Sequence, residues 1–386
     1  MHPPLLVFAD DWGRHPSSCQ HLIRHLLDHR EVVWVNTIGT RTPRLNAATL
    51  GRGFEKIRHW AKKKASSVDL PSHLRIVNPK MWPWFGSRFS RRLNRGLLVR
   101  QLTPLLHKYA NPPLAVTTLP IVADLVGSLP AERWVYYCVD DFSLWPGLDQ
   151  TTLLQMDEEL IQKVDSIITV SETLQARIKK CGRDSRLLTH GVDLTFWQEP
   201  GDIPGKKAWD GLEAPLVVFW GVIDRRMDVA AVRQLAHDLK KGTILLVGPR
   251  AEADPILFEL PRIVHLPPIA FEHLPLLAKA ASVLVMPYAD LPVTRAMQPL
   301  KLKEYLATGR PVVASDLPAN RSWRDSLDLA STPEAFSQAV QERLATGLPD
   351  IQAQARERLS GESWTEKARL FEEWILAEEP AQNGNR

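Results

Sequence analysis

Cysteine is scarce: Cys19, Cys138 and Cys181 stand far apart, and no two have the spacing of a zinc site or a redox pair. Their isolation excludes those two chemistries and fits a reducing compartment. Long apolar runs are missing too. The N-terminal "MHPPLLVFADDWG" has too short an apolar core for a secretory signal, and no stretch is long enough to cross a bilayer. The twelve histidines form no ligand cluster beside the cysteines, and no internal repeat stands out. The chain is therefore expected to be cytoplasmic.

What the sequence does hold is ordinary in bulk and unusual in detail. An apolar fraction of 44% and a charged fraction of 24% are those of a soluble globular protein. A length of 386 residues suits two domains. Thirty prolines argue for many short, stiff connections, and thirteen tryptophans for large contact surfaces. The net charge is only +4, yet between Arg41 and Lys108 sixteen lysines and arginines face two acids, a local balance of +14. The rest of the chain is acidic. Something anionic is expected near the cationic stretch.

Strand and helix patterns alternate along the chain. "LLVFA" (5–9), "VVWVN" (32–36), "LAVTT" (114–118), "WVYYCV" (134–139) and "SIITV" (166–170) read as buried strands, with helical segments between. Ser17 or Ser18 caps the first helix, and Ser171 caps another that Gly182 closes. Residues 190–215 are rich in Gly, Pro and Asp, a linker signature. The cycle restarts with "PLVVFWG" (215–221), "TILLVG" (243–248), "RIVHL" (262–266), "SVLVMPY" (282–288) and "PVVASD" (311–316). Near-continuous apolar strands separated by helices predict parallel sheets covered on both faces. The expected division is a domain over 1–198 with a basic insertion, a second over 199–363, and a C-terminal helix with a disordered tail over 364–386. That helix carries an apolar stripe of Trp364, Ala368, Phe371 and Ile375 and is expected to cross back to the first domain.

"QPLKLKEYLATGRPVVASD" (298–316) concentrates the chemistry. Pro299 suits a first helical position, and Leu300 and Lys301 then present free N–H groups at the positive helix end, a place for phosphate. Lys301 adds a full charge, and Glu304 suits a pair of vicinal hydroxyls. Phosphate and diol together describe a nucleotide. Gly221 and Gly248 end two strands of the same sheet, and Arg225, Arg226 and Arg250 follow them as candidate diphosphate partners. A solvated surface helix with simple glycine turns is the competing reading.

These segments, with "LPPIAFEHLPLLAKAASVLVMPY", "YYCVDDFS", "VDSIITVSETLQARI" and "LLTHGVDLTFW", resemble retaining GT-B glycosyltransferases of family 4, of the teichuronic-acid and capsule type. The resemblance spans roughly residues 110 to 375. It implies an α/β protein of GT-B architecture, two Rossmann-like parallel-sheet domains facing across a cleft. It also implies a nucleotide diphosphate-sugar donor, a lipid-linked or polysaccharide acceptor, and no cofactor. Glu304 matches the second glutamate of the family's paired-glutamate motif, the one that holds the ribose. Where the first glutamate belongs, this chain has Ala296, and the family's phosphate-binding arginine and lysine fall on Val222 and Met227. Arg225 and Arg226 are the expected substitutes.

Where many members carry an active-site histidine, this chain has Asp140-Asp141. A retaining enzyme needs no external base, whereas an inverting one needs such a carboxylate near the acceptor hydroxyl. The alternative role for the pair is to cap the next helix or orient the acceptor. Asp11, Gly13, Arg14 and His15, in the first strand-to-helix turn, are the candidate acceptor contacts. No paired-carboxylate metal motif lies beside the diphosphate site, so no metal is expected.

Residues 52–100 interleave Trp and Phe with Lys and Arg. At helical spacing Phe85, Phe89, Leu93 and Leu97 line one face. An anionic membrane surface, a solvated basic face and a nucleic-acid surface are the three readings, the last without any accompanying nucleic-acid module. The sequence thus leads to a cytoplasmic, peripherally membrane-bound glycosyltransferase. A nucleotide-sugar epimerase on the same fold, or a catalytically silent partner of another transferase, is the alternative.

Overall fold

The computed structural model describes residues 3–13, 17–40, 71–201 and 204–377. The chain divides into two units, Met1–Leu188 with Ala368–Arg386, and Thr189–Lys367.

The first unit is built on a parallel seven-stranded sheet. Its strands are β1 (Leu5–Ala9), β2 (Val32–Asn36), β3 (Leu74–Val77), β4 (Leu114–Thr117), β5 (Arg133–Cys138), β6 (Ser166–Thr169) and β7 (Arg186–Leu187), in the order β3-β2-β1-β4-β5-β6-β7. All residues of β1 and β4 are buried, as expected of central strands covered on both faces. The sequence pattern misses β3 and β7. Both are edge strands, β3 broken by Arg75 and β7 only two residues long, so neither is a continuous apolar run. Ser17 caps the helix Ser18–Leu26, and Ser171 caps Glu172–Lys180, accepting from the Leu174 N–H at 3.2 Å. In the last helix, Trp364–Leu376, the predicted stripe is buried; Phe371 packs its ring 5.5 Å from Tyr137. Glu372 pairs with the buried Arg30.

The second unit holds a six-stranded parallel sheet and a two-stranded ribbon. Its strands are β8 (Leu216–Trp220), β9 (Ile223–Asp224), β10 (Thr243–Val247), β11 (Arg250–Ala251), β12 (Ile263–Leu266), β13 (Val283–Met286), β14 (Val312–Ser315) and β15 (Asp328–Ala330). The large sheet runs β12-β10-β8-β13-β14-β15, and β9 pairs with β11. The order reverses at β8, with β10 on one side and β13 on the other. In open parallel sheets a ligand crevice lies beyond the strand carboxyl ends at such a reversal.

The boundary lies earlier than the linker pattern suggests. Residues 189–198 belong to the second unit because their contacts do. Val192 bridges Ser363, Trp197 stacks on Trp220 with ring centroids 5.6 Å apart, and the His190 carbonyl accepts from Lys303 Nζ. At the other end the division falls at Lys367/Ala368, inside the last helix. Among the described residues no helix is long and apolar enough to cross a membrane.

Candidate functional site

Two turns meet at the reversal of the second sheet. Gly221 follows β8 with φ 138°, and Gly248 follows β10 with φ 145°, backbone conformations that side chains rarely adopt. The turns are in close contact: a Cβ on Gly248 would lie 1.9 Å from the Gly221 carbonyl oxygen. The ribbon of β9 and β11 continues that contact. Glycine is required here by backbone-to-backbone approach.

The helix Lys301–Ala307 begins beside them. Its residues 301, 304 and 305 share one face, being three and four apart, while 302 and 306 point into the core. Pro299 and Leu300 precede the helix, Leu300 as its cap, so the proline sits two residues before the first helical residue and not at it as expected. Lys301 Nζ donates to the Trp220 carbonyl and to Tyr288 Oη, both at 2.8 Å. It lies 4.3 Å from the centroid of Phe219. A Cβ on Gly221 would stand 2.1 Å from that ammonium. The lysine therefore lies directly over the glycine turn.

Glu304 is partly buried one turn further on. Removal from water pushes its carboxyl up to about 7, opposed by the Lys301 charge and the Trp220 indole. Lys303 points the other way and is 2% exposed. Its ammonium binds Thr189 Oγ1 at 3.1 Å, the His190 carbonyl and Glu362. Burial lowers its pKa to about 8 even against Glu362. Arg356, also buried, donates to the carbonyls of Ser326 at 2.9 Å and Arg310 at 2.8 Å, beyond the helix's far end. Two internal cations thus hold the segment that presents Lys301 and Glu304.

The arginines are placed differently from what the sequence suggests. Arg226 forks onto Asp224 with contacts of 2.8 to 3.1 Å and lies 5.9 Å from the Tyr288 ring. Arg225 is largely exposed, with Glu252 3.4 Å away. Arg250 lies 3.5 Å over Phe258 and donates to His265 Nδ1 at 3.2 Å. Val222 is exposed and Met227 buried, so neither replaces the family's two cations, and Ala296 is buried. Of the cations named from the sequence, Lys301 is the one set over the glycine turn. Sequence reasoning gave no role to Lys303, Trp220, Tyr288 or Tyr305. The lysine sits in an apolar helix register and the aromatics look like plain core.

In the first unit, Asp11 and Gly13 lie in the turn after β1, and Arg14 and His15 fall outside the described residues. The buried amide of Gln20 organises that turn, accepting from the Gly13 N–H at 3.0 Å and donating to the Asp11 carbonyl at 3.3 Å. Asp141, after β5, is buried. It accepts from the Ser143 N–H at 3.1 Å and pairs with Arg177 at 3.0 Å. Arg177 also contacts Asp157 at 2.5 Å, and Tyr136 Oη donates to Asp157. Asp141 is thus the cap of a short helix and part of a buried ionic network. Asp140 beside it is half-buried. Among the described residues no group of three His, Cys, Asp or Glu is placed to hold a metal ion.

Residues 214–346, within the second unit, match the family model described as "Glycosyl transferases group 1". Over 168 residues the chain is 29% identical to a putative teichuronic acid biosynthesis glycosyltransferase, TuaH, of Bacillus subtilis (strain 168). That alignment covers 42% of this chain and 42% of the relative, so the chain spans well under half of the protein it matches. Two solved structures resemble nearly the whole chain. A sucrose-phosphate synthase from Thermosynechococcus elongatus gives a TM-score of 0.69 at 17% identity, covering 97% of this chain and 98% of that one. Anabaena Alr3699/HepE in complex with UDP-glucose gives 0.66 at 13% identity, covering 97% and 99%. The fold is GT-B. Its two parallel-sheet units are those the resemblance implied.

Proposed function

We propose that the protein is a glycosyltransferase that moves a sugar from a nucleoside diphosphate-sugar to a glycan or lipid-linked acceptor in cell-surface glycan synthesis. One observation carries this reading. Gly221, Lys301 and Glu304 stand together on one rim, inside the segment that matches the glycosyltransferase model. The glycine turn leaves room for a diphosphate to approach backbone. Lys301, walled by Phe219 and Tyr288, sits where an ammonium acts through a lower dielectric than water. It would offset the charge that develops on the departing nucleoside diphosphate, a role that needs no metal. Glu304 accepts from the ribose hydroxyls. Leu300 and Pro299 flank that contact, and Gly248 keeps the second turn close. Arg225, Arg226 and Arg250 line the same rim and are secondary to Lys301.

The donor phosphate itself receives the acceptor proton, so transfer retains the anomeric configuration without a separate base. Asp140 orients the acceptor hydroxyl, and Asp141 with Arg177 holds its loop. Asp11 and Gly13, with Arg14 and His15, make the remaining acceptor contacts. The exposed face of the helix Arg88–Leu106 supports docking on an anionic membrane, at the cytoplasmic face, where a lipid-linked acceptor is presented.

The test is turnover of the full chain with a panel of UDP-, ADP- and GDP-sugars, followed by NMR of the product anomer. Retention is expected, with Asp140→Asn slowing turnover modestly and Asp141→Asn lowering the melting temperature. A loss of 10²–10⁴-fold in Asp140→Asn together with an inverted product would make Asp140 a general base and overturn the retaining scheme.

A further inference from the structure

His265, the third residue of β12, joins two parts of the second sheet's rim through its ring nitrogens. Nε2 lies 2.8 Å from the Gly248 carbonyl oxygen, and Nδ1 accepts from Arg250 Nε at 3.2 Å. These partners fix the tautomer. A carbonyl can only accept and a guanidinium can only donate, so Nε2 carries the hydrogen and Nδ1 is bare. The ring meets Phe258 edge-on, with centroids 5.4 Å apart at 73°. β12 lies beside β10 with His265 in register with Leu246, so the imidazole reaches the turn that leaves β10. The same turn is tied to β12 by its backbone, the Gly248 N–H donating to the Leu266 carbonyl at 3.0 Å.

Arg250, two residues past Gly248, is exposed, yet its guanidinium is held twice. Nε is anchored on His265. Cζ lies 3.5 Å above the Phe258 centroid, the contact distance of flat groups stacked face to face. Among the described residues its two Nη groups have no partner. A long cationic side chain ordinarily gives up rotamer freedom when it takes a ligand, and this one has given it up beforehand. What remains on offer is a pair of adjacent N–H donors, which suits two oxygens of one anionic group.

Resting on the donor-site reading above, we infer that His265 is a positioning residue that aims the Arg250 guanidinium at the diphosphate of the donor. The Gly248 carbonyl sets the tautomer, the bare Nδ1 takes the Arg250 Nε–H, and Phe258 supports the plane. His265 touches no substrate itself. Lys301 serves the Gly221 turn, and Arg250 serves the Gly248 turn packed against it. The arrangement depends on position and not on charge alone. Lysine at 250 would keep the charge and lose both the stack and the Nε–H. Phenylalanine at 265 would keep a ring beside Phe258 and lose both anchoring nitrogens.

Calorimetry on the full chain tests this, using UDP, ADP and GDP and then the nucleoside of the tightest binder. His265→Phe should weaken that diphosphate about tenfold and the nucleoside hardly at all. His265→Gln, whose amide restores one acceptor and one donor, should recover most of the loss. In protein that already carries Arg250→Gln, adding His265→Phe should cost little more, because the two residues act as one unit. Losses that simply add, equal weakening of nucleotide and nucleoside, or wild-type diphosphate affinity in a folded His265→Phe each overturn the assignment and leave the donor site standing. Failure of wild type to bind any of the three nucleotides overturns both. If His265→Phe loses its cooperative melt, the exposed arginine carries the test. Arg250→Lys should then lose nearly as much diphosphate affinity as Arg250→Gln, and wild-type affinity in Arg250→Lys refutes a positioned guanidinium.

Discussion

The ammonium of Lys301 donates to the carbonyl of Trp220 at 2.8 Å and occupies the space a side chain on Gly221 would need. Two substitutions separate the roles of the paired turns. On Gly248 a Cβ would strike the Gly221 carbonyl, which is backbone and cannot move aside. On Gly221 it would strike the end of a flexible lysine. Gly248→Ala should therefore destabilise the second unit by about 1–3 kcal/mol or more. Gly221→Ala should cost less stability and more donor affinity. Urea unfolding beside nucleotide calorimetry checks this, and equal effects of both changes on binding and stability would contradict it.

Glu304 gives a pH signature. Its folded carboxyl titrates near 7, above the ordinary 4.5. Between those values the folded state binds the proton that the unfolded state releases. Stability contributed by this group is present below 4.5 and lost as pH rises towards 7. The carboxylate form is the better partner for hydroxyls, so nucleotide affinity should instead rise across pH 6–8. Glu304→Gln should flatten that rise and weaken binding by about 1.5–3 kcal/mol. It should also leave the protein no less stable at pH 8. A mutant with wild-type affinity throughout would remove Glu304 from the site.

How much of this was legible in the sequence follows from what each residue must do. The central strands are uninterrupted apolar runs and were readable as such; β3, β7 and β15 are edges and were not. Lys301 and Glu304 were visible because a short motif sets charge against an apolar helix. The fork of Arg226 onto Asp224 was not, because it depends on how the turn after β8 folds back. On the helix Arg88–Leu106 the readings diverged most. Phe85 is buried, and the packed face is Ser90, Asn94, Leu98, Leu102 and Leu105, a stripe disguised by two polar residues. Asn94 earns its buried place by bonding the Trp82 N–H at 2.7 Å and the carbonyls of Trp82 and Trp84 at 3.0 Å.

Lys303 should be a structural cation whose loss is felt at the donor site. Removing one partner of a buried ion pair strands the other and typically costs about 3–5 kcal/mol. Lys303→Met should lower stability by that order, and adding Glu362→Gln should recover part of it. Lys367, 2.7 Å from Glu362, limits the damage by sharing the carboxylate. Thermal melts of the single and double variants measure this, and purely additive losses would argue against a coupled pair.

The helix Arg88–Leu106 and the turn before it refine the membrane proposal. Phe89 is 74% exposed and Trp82 42%, beside the exposed Arg88, Arg92 and Arg95. Arg91 is not available to lipid, because it bonds Asp124 at 2.7 and 2.8 Å and Glu159 at 3.0 Å. Replacing Arg88, Arg92 and Arg95 with Gln should remove the salt-sensitive part of binding to anionic vesicles. Replacing Trp82 and Phe89 with Ser should remove the salt-resistant part. Wild-type protein that stays in solution with such vesicles at low salt would end the membrane reading. Residues 52–64, the other half of the basic stretch, lie outside the described residues.

The most direct measurement is calorimetric titration of the full chain with UDP, ADP and GDP, wild type against Lys301→Gln. A diphosphate held over the Gly221 turn predicts that at least one nucleotide binds wild type. Removing the ammonium should weaken it by about 1.5–3 kcal/mol, the range for a hydrogen bond to a charged group, while the corresponding nucleoside binds both proteins alike. Binding that ignores Lys301, or no binding by any of the three, would contradict the account.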